Sequence, residues 1–95
     1  MSASILVVED EPAIQELVSF TCSTNGYKVR RAESVGAASE AIRTELPDLV
    51  ILDWMLPDRP GIELLRDLRG DDRTRGVPVI LLTAKGAESD RLTPE

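Results

Sequence analysis

The sequence predicts an α/β fold in which a parallel sheet carries helices on both faces, the doubly wound arrangement. Short continuous runs of aliphatic and β-branched residues recur along the chain, which is typical of strands buried on both faces. Segments with apolar residues at helical spacing separate these runs, so that strand and helix alternate. Alternation of this kind implies right-handed crossovers, which connect parallel strands.

Four short segments are predicted to form the strands. The first covers residues 5–8 and the third covers residues 49–52, and both are fully apolar runs that lead into acidic residues. The second covers residues 27–32 and is more polar, which predicts a position at a sheet edge. The fourth covers residues 77–82, with Pro78 tolerated only because it stands near the start of the strand.

Three helices are predicted between the strands. The first begins near Pro12, whose missing N–H costs nothing in a first helical turn. An acidic residue before Pro12 is available as its cap, and the helix is predicted to stop at Asn25 and Gly26. Ser34 caps the second helix, and the third runs to Gly70. Each has residues at helical spacing that define its predicted inner face: Ile14, Leu17, Val18, Thr21 and Cys22; Val35, Ala38, Ala41 and Ile42; Ile62, Leu64, Leu65 and Leu68.

Composition excludes several classes of function. A chain of 95 residues forms one domain at most, and 42% hydrophobic with 29% charged residues is ordinary for a globular chain. The 17 acidic against 11 basic residues give a net charge of -6, so this segment is not expected to bind nucleic acid or an anionic membrane. No export signal or membrane-spanning apolar run is found, and a cytoplasmic location is expected.

Two residue types limit the available chemistry. Cys22 is the only cysteine, so no internal disulfide forms, and a buried thiol is expected. The chain has no histidine, which excludes Ser-His or Cys-His nucleophilic catalysis, His-ligated zinc and a phosphohistidine carried by this chain. Any chemistry therefore depends on carboxylates, hydroxyls and the backbone.

Polar side chains follow three of the four predicted strands. Glu9 and Asp10 end the first strand, Asp53 ends the third and Thr83 ends the fourth. Ligand sites in open parallel sheets form beyond the carboxyl ends of the strands, where the strand order reverses. If the first and third strands are central neighbours, these side chains converge on one pocket.

Three carboxylates in one pocket repel one another unless a cation lies among them. Only oxygen ligands are available, which favours a hard ion such as Mg²⁺ or Mn²⁺, with waters and a backbone carbonyl completing an octahedron. An aspartate placed like Asp53 can act as a nucleophile toward phosphorus beside such an ion. Thr83 can then donate a hydrogen bond to the phosphoryl group.

Each of these residues also has an ordinary structural interpretation. Glu9 and Asp10 are typical helix-capping acids, Asp53 is a common residue at a turn, and Thr83 is a common strand residue. Their joint placement at one edge of the sheet is what favours a functional site. The charged segment 71–75 is interpreted as a solvated loop.

Three motifs together resemble the receiver domain of two-component response regulators, in the OmpR/PhoB class that includes the phosphate-regulon regulators. They are ILVVEDEP at residues 5–12, LVILDWMLP at residues 49–57 followed by Gly61, and VPVILLTA at residues 77–84. The similarity extends from residue 4 to about residue 92. It implies a flavodoxin-like or CheY-like sheet, incomplete, with about four strands in the order 2-1-3-4.

The resemblance also implies roles for individual residues. Asp53 is the phosphoacceptor, Thr83 is the switch hydroxyl, and Thr83 with Ala84 binds the phosphoryl group. The implied Mg²⁺ ligands are Glu9, Asp10, Asp53 and the backbone carbonyl of Met55. The phosphoryl donor is a histidine kinase or a small acyl phosphate, so the chain is a recipient rather than an enzyme, and phosphorylation normally regulates transcription.

The sequence also departs from the family pattern. Receiver domains continue through a fifth strand with a Lys-Pro pair and a fifth helix, and neither the invariant lysine nor the switch aromatic has a counterpart here. Lys85 lies just past Thr83 rather than at the end of another strand. We expect residues 1–95 to be a truncated receiver domain without an effector domain. Residues 79–82 would then form a hydrophobic sheet edge, which favours a homodimer through edge pairing or a swap.

Two other functions stay open. A receiver-like interaction or dimerisation module that does not switch is one, because the lysine and the switch aromatic are missing. A Mg²⁺-dependent phosphatase with an aspartyl nucleophile is the other. Against the phosphatase, Met55 stands two residues after Asp53 and cannot supply the side-chain acid that such enzymes commonly use.

Overall fold

Strands and helices alternate along the chain in the computed structural model, which describes residues 2–82. The elements are β1 Ser4–Val8, α1 Pro12–Thr24, β2 Lys28–Ala32, α2 Val35–Thr44, β3 Leu49–Asp53, α3 Gly61–Arg69 and β4 Val79–Leu82. The prediction of an α/β fold is therefore confirmed. The predictions for Thr83, Ala84 and Lys85 lie outside the described residues.

The four strands form one parallel sheet in the order β2-β1-β3-β4. Ile5 of β1 is opposite Val29 of β2 and Leu49 of β3, and Val50 of β3 is opposite Val79 of β4. The predicted strand order is confirmed, and β1 and β3 are the central neighbours that a shared site requires.

Helices cover both faces of the sheet, which explains why the central strands are apolar throughout. Alternate residues of β1 belong to different cores: Leu6 and Val8 pack toward α2 and α3, whereas Ile5 and Val7 pack toward α1. Among residues 2–82, the α2–α3 side holds eleven buried hydrophobic residues and the α1 side holds three. Cys22 of α1 is partly buried against the smaller cluster, as expected for a packed thiol.

The predicted inner face of α1 is wrong at two positions. Leu17 is 65% exposed and Thr21 is also exposed, whereas Gln15 and Ser19 are buried. The helix is therefore rotated relative to the apolar pattern. The polar Gln15 and Ser19 side chains face the sheet, where they form hydrogen bonds. The exposed Thr21 hydroxyl donates to the Leu17 carbonyl of its own helix.

Two element boundaries differ from the sequence-based expectation for physical reasons. β4 begins at Val79 rather than at residue 77, because Pro78 has no N–H to donate; its carbonyl instead accepts from the Val50 N–H at 3.0 Å. At the start of α1, the N-cap residue is Glu11, but its side chain makes no capping hydrogen bond, so the predicted acid cap is wrong there. The predicted Ser34 cap of α2 is confirmed.

The carboxyl end of α2 is held by two arginines that are distant in sequence. Arg30 of β2 donates to the Ala41 and Glu45 carbonyls. Arg73 donates to the Ile42 and Arg43 carbonyls at 3.1 and 3.3 Å. Cations favour a helix carboxyl end, where carbonyls lack partners within the helix. The segment 71–75 is largely exposed as interpreted, but Arg73 also has this capping role.

None of the helices among residues 2–82 is long and apolar enough to cross a membrane.

Candidate functional site

The acidic residues that follow β1 and end β3 come together in the structure. One carboxylate oxygen from each of Glu9, Asp10 and Asp53 lies within 4.8 Å of the others. This convergence follows from the adjacent parallel pairing of β1 and β3, whose carboxyl ends meet at the same edge of the sheet. The predicted grouping of these three residues is therefore seen in the structure.

The three carboxylates differ in their access to solvent. Glu9 is 1% exposed and Asp53 is 4% exposed, whereas Asp10 is exposed. The site thus has two buried carboxylates behind one that faces water. Placing negative charges in a buried position is costly unless hydrogen bonds or a cation compensate them. Part of this compensation is local, because the Glu9 carboxylate accepts a hydrogen bond from the Glu11 N–H at 2.9 Å.

The donor set fits a hard divalent cation. All three side chains offer carboxylate oxygens, which Mg²⁺ prefers. Oxygen ligands on opposite sides of Mg²⁺ are about 4.2 Å apart, since each Mg–O distance is about 2.1 Å. The three oxygens lie within 4.8 Å of one another, a separation close to this, so Glu9, Asp10 and Asp53 would hold such an ion with little side-chain movement. Asp10 is the member of the three that solvent reaches.

Gln15 supports the turn that carries Glu9 and Asp10. Its side-chain amide donates to the Glu9 carbonyl at 3.0 Å and to the Ala32 carbonyl at 3.2 Å, and the residue is 5% exposed. The Ala32 carbonyl also accepts from the Glu9 N–H at 2.9 Å, so the carboxyl ends of β1 and β2 and the helix α1 meet at this point. The Ser19 hydroxyl donates to the Gln15 side-chain oxygen at 3.5 Å.

Sequence reasoning missed Gln15. The available signal was that Gln15 and Ser19 are four residues apart and that each directly follows an apolar residue, Ile14 and Val18. A polar pair at this spacing can share the inner face of a helix.

The backbone around Asp53 requires a glycine at position 61. A Cβ atom added to Gly61 would lie 2.1 Å from the Asp53 carbonyl oxygen, closer than nonbonded atoms can approach. The Gly61 N–H donates to the Trp54 carbonyl at 2.9 Å, and the Trp54 N–H donates to the Leu82 carbonyl at 3.2 Å. The close approach gives a physical reason for the glycine that accompanies the third-strand motif.

The loop 54–60 follows Asp53 and folds back on itself. Met55 and Pro60 form an isolated antiparallel bridge. Trp54 and Met55 are 43% and 58% exposed, so their side chains lie at the surface beside the site. The role predicted for Met55 concerns its backbone carbonyl, which belongs to this closed loop.

Asp58 is a second residue that sequence reasoning missed. Its carboxylate accepts hydrogen bonds from the Val35 and Gly36 N–H groups at 3.0 and 2.9 Å and from the Arg59 N–H at 2.9 Å. The amides of Gly36 and Val35 hold the pKa of Asp58 below its ordinary value. No local pattern indicates this contact, since the α2 amides are more than twenty residues away along the chain.

Comparison with known proteins gives one consistent family. The family model described as the response regulator receiver domain matches residues 5–93. The phosphate regulon transcriptional regulatory protein PhoB of Escherichia coli strain K12 is 44% identical over 92 residues, which cover 97% of this chain and 40% of that protein. The probable transcriptional regulatory protein TcrX of Mycobacterium tuberculosis is 43% identical over 89 residues, which cover 94% of this chain and 37% of that protein.

A solved structure has the same fold. The N-terminal domain of a response regulator receiver protein from Methanoculleus marisnigri superposes with a TM-score of 0.83 and 38% identity, covering 90% of this chain and 69% of that one. The chain therefore spans about 40% of the length of the curated relatives it matches and most of the length of an isolated domain.

Proposed function

The chain belongs to the family of response regulator receiver domains, and we propose that it receives a phosphoryl group on Asp53. The observation that carries this proposal is the cluster of Glu9, Asp10 and Asp53 at the carboxyl ends of the central strands. Receiver domains of transcriptional response regulators are generally not enzymes. In this role, the chain accepts a phosphoryl group and presents it to partners.

Asp53 supplies the nucleophile in the proposed reaction. One of its carboxylate oxygens forms a bond to phosphorus while the bond between phosphorus and the donor atom breaks, and the donor keeps that electron pair. The chain has no histidine, so the proposed donor is a separate histidine kinase or a small acyl phosphate. Thr83 and Ala84, which lie outside the described residues, are proposed to hydrogen-bond the transferred group.

The proposed cofactor is Mg²⁺, held by Glu9, Asp10, Asp53 and the backbone carbonyl of Met55. When bound, Mg²⁺ neutralises negative charge on the phosphoryl group and on the carboxylates. Glu9 and Asp53 provide buried oxygens that are fixed by the strands, and Asp10 provides an oxygen that water can reach. Asp10 is the exposed member of the three, so the proposed donor approaches from the side of Asp10.

The proposed consequence of phosphorylation is regulation of transcription. The curated relatives described above are transcriptional regulators, and they extend well beyond the part matched by this chain. The proposal therefore includes a further segment, of the kind that those regulators have beyond the matched part, which carries the effect of phosphorylation to transcription. A cytoplasmic location is part of the proposal, because a regulator of transcription acts where the DNA is.

An interaction module that does not switch is the second candidate function, and the fourth strand favours it. Among the described residues, β4 borders the sheet, and its Ile80 side chain is 52% exposed. An apolar border strand can pair with a second copy of the chain. In sedimentation experiments, this candidate requires a dimer that Ile80→Lys dissociates and that phosphorylation leaves unchanged. A monomer at all concentrations contradicts it.

The leading proposal is tested by phosphorylation in solution. Incubation with Mg²⁺ and acetyl phosphate should add one phosphoryl mass to the intact chain, and Asp53→Asn should abolish the addition. Asp48→Asn is the matched control, because Asp48 lies just before the other end of β3, and an asparagine keeps an acceptor for the Ser4 N–H. Loss of the added mass in both variants, or in neither, contradicts the assignment of Asp53.

A further inference from the structure

We propose that Asp58 is a positioning residue that fixes the loop 54–60 beside Asp53 by anchoring it to the amino end of α2. The inference rests on the proposed function, because it gives the loop the task of presenting the Met55 carbonyl to the cation. Three sets of contacts and the charge at the helix end support it.

The first set lies at the amino end of α2. The first amides of a helix have no partner within the helix and need an outside acceptor. Ser34, the residue before the helix, provides one locally, since its hydroxyl oxygen accepts from the Ala37 N–H at 3.0 Å. Asp58 provides the others, because its two carboxylate oxygens accept from the Val35 and Gly36 N–H groups at 3.0 and 2.9 Å. The helix end thus has a local cap and a distant one.

The second set lies within the loop. The Asp58 carboxylate also accepts from the Arg59 N–H at 2.9 Å, so the same side chain orders its own backbone. The bridge between Met55 and Pro60 and the hydrogen bond from the Gly61 N–H to the Trp54 carbonyl close the loop at its base. An anchor on Asp58 therefore restrains the whole loop as one unit.

The third set fixes the other side of the loop. The Arg59 guanidinium pairs with Glu63 at 2.8 Å and with Asp67 at 3.1 Å, both on α3. Adjacent residues of the loop are therefore held by two different helices, Asp58 by α2 and Arg59 by α3. The Arg59 contacts are exposed ion pairs between side chains, whose contribution is small in water. The amide contacts of Asp58 are the more specific anchor.

Electrostatics at the helix end support the same assignment. The amino end of a helix carries partial positive charge, which favours a carboxylate there. The amides of Gly36 and Val35 lower the pKa of Asp58, which means that they favour the ionised carboxylate with its two acceptor oxygens.

The anchor matters because a metal site tolerates little displacement. Ligands need to be held within about 0.5 Å of their working positions by the residues behind them. Met55 is three residues before Asp58 in the same closed loop. Without the anchor, the loop can shift, while Glu9, Asp10 and Asp53 stay in place on the strands and their immediate turns.

The experiment compares Asp58→Ala with Ser34→Ala in the full chain. Both variants remove a cap from α2, but only the first releases the loop, so Ser34→Ala is the matched control for loss of helix stability. Asp58→Asn keeps one good acceptor oxygen and serves as the conservative variant. Mg²⁺ affinity is read from the fluorescence of Trp54, the only tryptophan, which is next to Asp53. Loop closure is read independently from hydrogen exchange of the Gly61 amide.

Asp58→Ala should weaken Mg²⁺ affinity on the order of tenfold, as the loss of a residue that supports metal ligands typically does. It should also speed exchange of the Gly61 amide. Asp58→Asn should give an intermediate affinity, and Ser34→Ala should leave both readings at their wild-type values. Equal changes in Asp58→Ala and Ser34→Ala overturn the inference, because they assign the effect to α2 stability.

The exchange measurement separates this inference from the proposed function. If the wild-type chain does not bind Mg²⁺, the proposed cofactor is wrong, and the Gly61 amide still decides whether Asp58 anchors the loop. Unchanged Gly61 exchange in Asp58→Ala overturns the anchor, whatever the metal result.

Discussion

The two faces of the sheet are built differently. On the α2–α3 face, eleven buried hydrophobic residues form a continuous core that includes Leu6, Leu52 and Leu64. On the α1 face, the buried cluster among residues 2–82 consists of Ile5, Val7 and Ile51, and the buried residues of the helix are the polar Gln15 and Ser19. The α2–α3 face therefore contributes most of the hydrophobic stabilisation, and the α1 face contributes much of the support for the acidic site.

The largest expected effect tests the apolar face. Leu6→Ala should lower the free energy of unfolding by about 3 kcal/mol, because it removes a fully buried side chain and leaves a cavity. Leu17→Ala is the control on α1, where the side chain is 65% exposed, and it should cost less than about 0.5 kcal/mol. Urea unfolding measures both. Similar losses would mean that α1 buries Leu17 as the sequence pattern suggested.

The next effect concerns the backbone behind Asp53. Gly61→Ala should destabilise the chain by about 2 kcal/mol, because the new methyl group overlaps the Asp53 carbonyl and forces the backbone to move. It should also weaken Mg²⁺ binding. Gly76→Ala is the control, since a Cβ there meets no atom within 4 Å. A Gly61→Ala chain with wild-type stability and Mg²⁺ affinity would contradict the close approach.

A smaller effect tests whether the polar residues of α1 support the acidic site as well as the stability of the chain. Gln15→Met fills a similar space but removes the donor to the Glu9 and Ala32 carbonyls, which should cost about 1–2 kcal/mol. It should also reduce Mg²⁺ affinity, measured by titration of Trp54 fluorescence. Ser19→Ala removes a hydroxyl that donates to the Gln15 side-chain oxygen and leaves the Gln15 donor in place, so it should leave that affinity unchanged. Equal Mg²⁺ affinity in Gln15→Met and in the wild type would show that Gln15 does not support the acidic site.

The smallest effect is a pH dependence at Asp58. Its pKa is lowered in the folded chain by the Gly36 and Val35 amides, so the stability it contributes is fully present above its ordinary pKa of 3.8. That contribution is lost as the pH falls through the lower folded value. The stability difference between wild type and Asp58→Ala should therefore shrink on acidification below 3.8. The difference for Ser34→Ala should stay constant, and a constant difference for both variants would refute the ionic anchor.

The sequence predicted most of the fold because the strands are easy to recognise. Runs such as residues 5–8 and 49–52 are apolar on both faces, and the acids that follow mark the end of the sheet where a site forms. Ser34 was predicted correctly because its capping partner is three residues away. Glu9, Asp10 and Asp53 were placed together for the same reason, since parallel strands bring their carboxyl ends to one edge.

The features missed are contacts between distant parts of the chain. Asp58 caps a helix more than twenty residues before it, and Arg73 caps the other end of that helix across thirty or more residues. Nothing near either residue in the sequence indicates these partners. Leu17 was placed inside because apolar spacing was the only guide. In the structure Gln15 lies inside instead, where its side-chain amide donates to two strand-end carbonyls.

The most direct test of the central claim is to locate the phosphoryl group on the chain. After incubation with Mg²⁺ and acetyl phosphate, borohydride reduces an aspartyl phosphate to homoserine, which peptide mass spectrometry assigns to a position. The account predicts homoserine at position 53 alone, and only when Mg²⁺ is present. Homoserine at another aspartate, or an equal yield at position 53 without Mg²⁺, would contradict it.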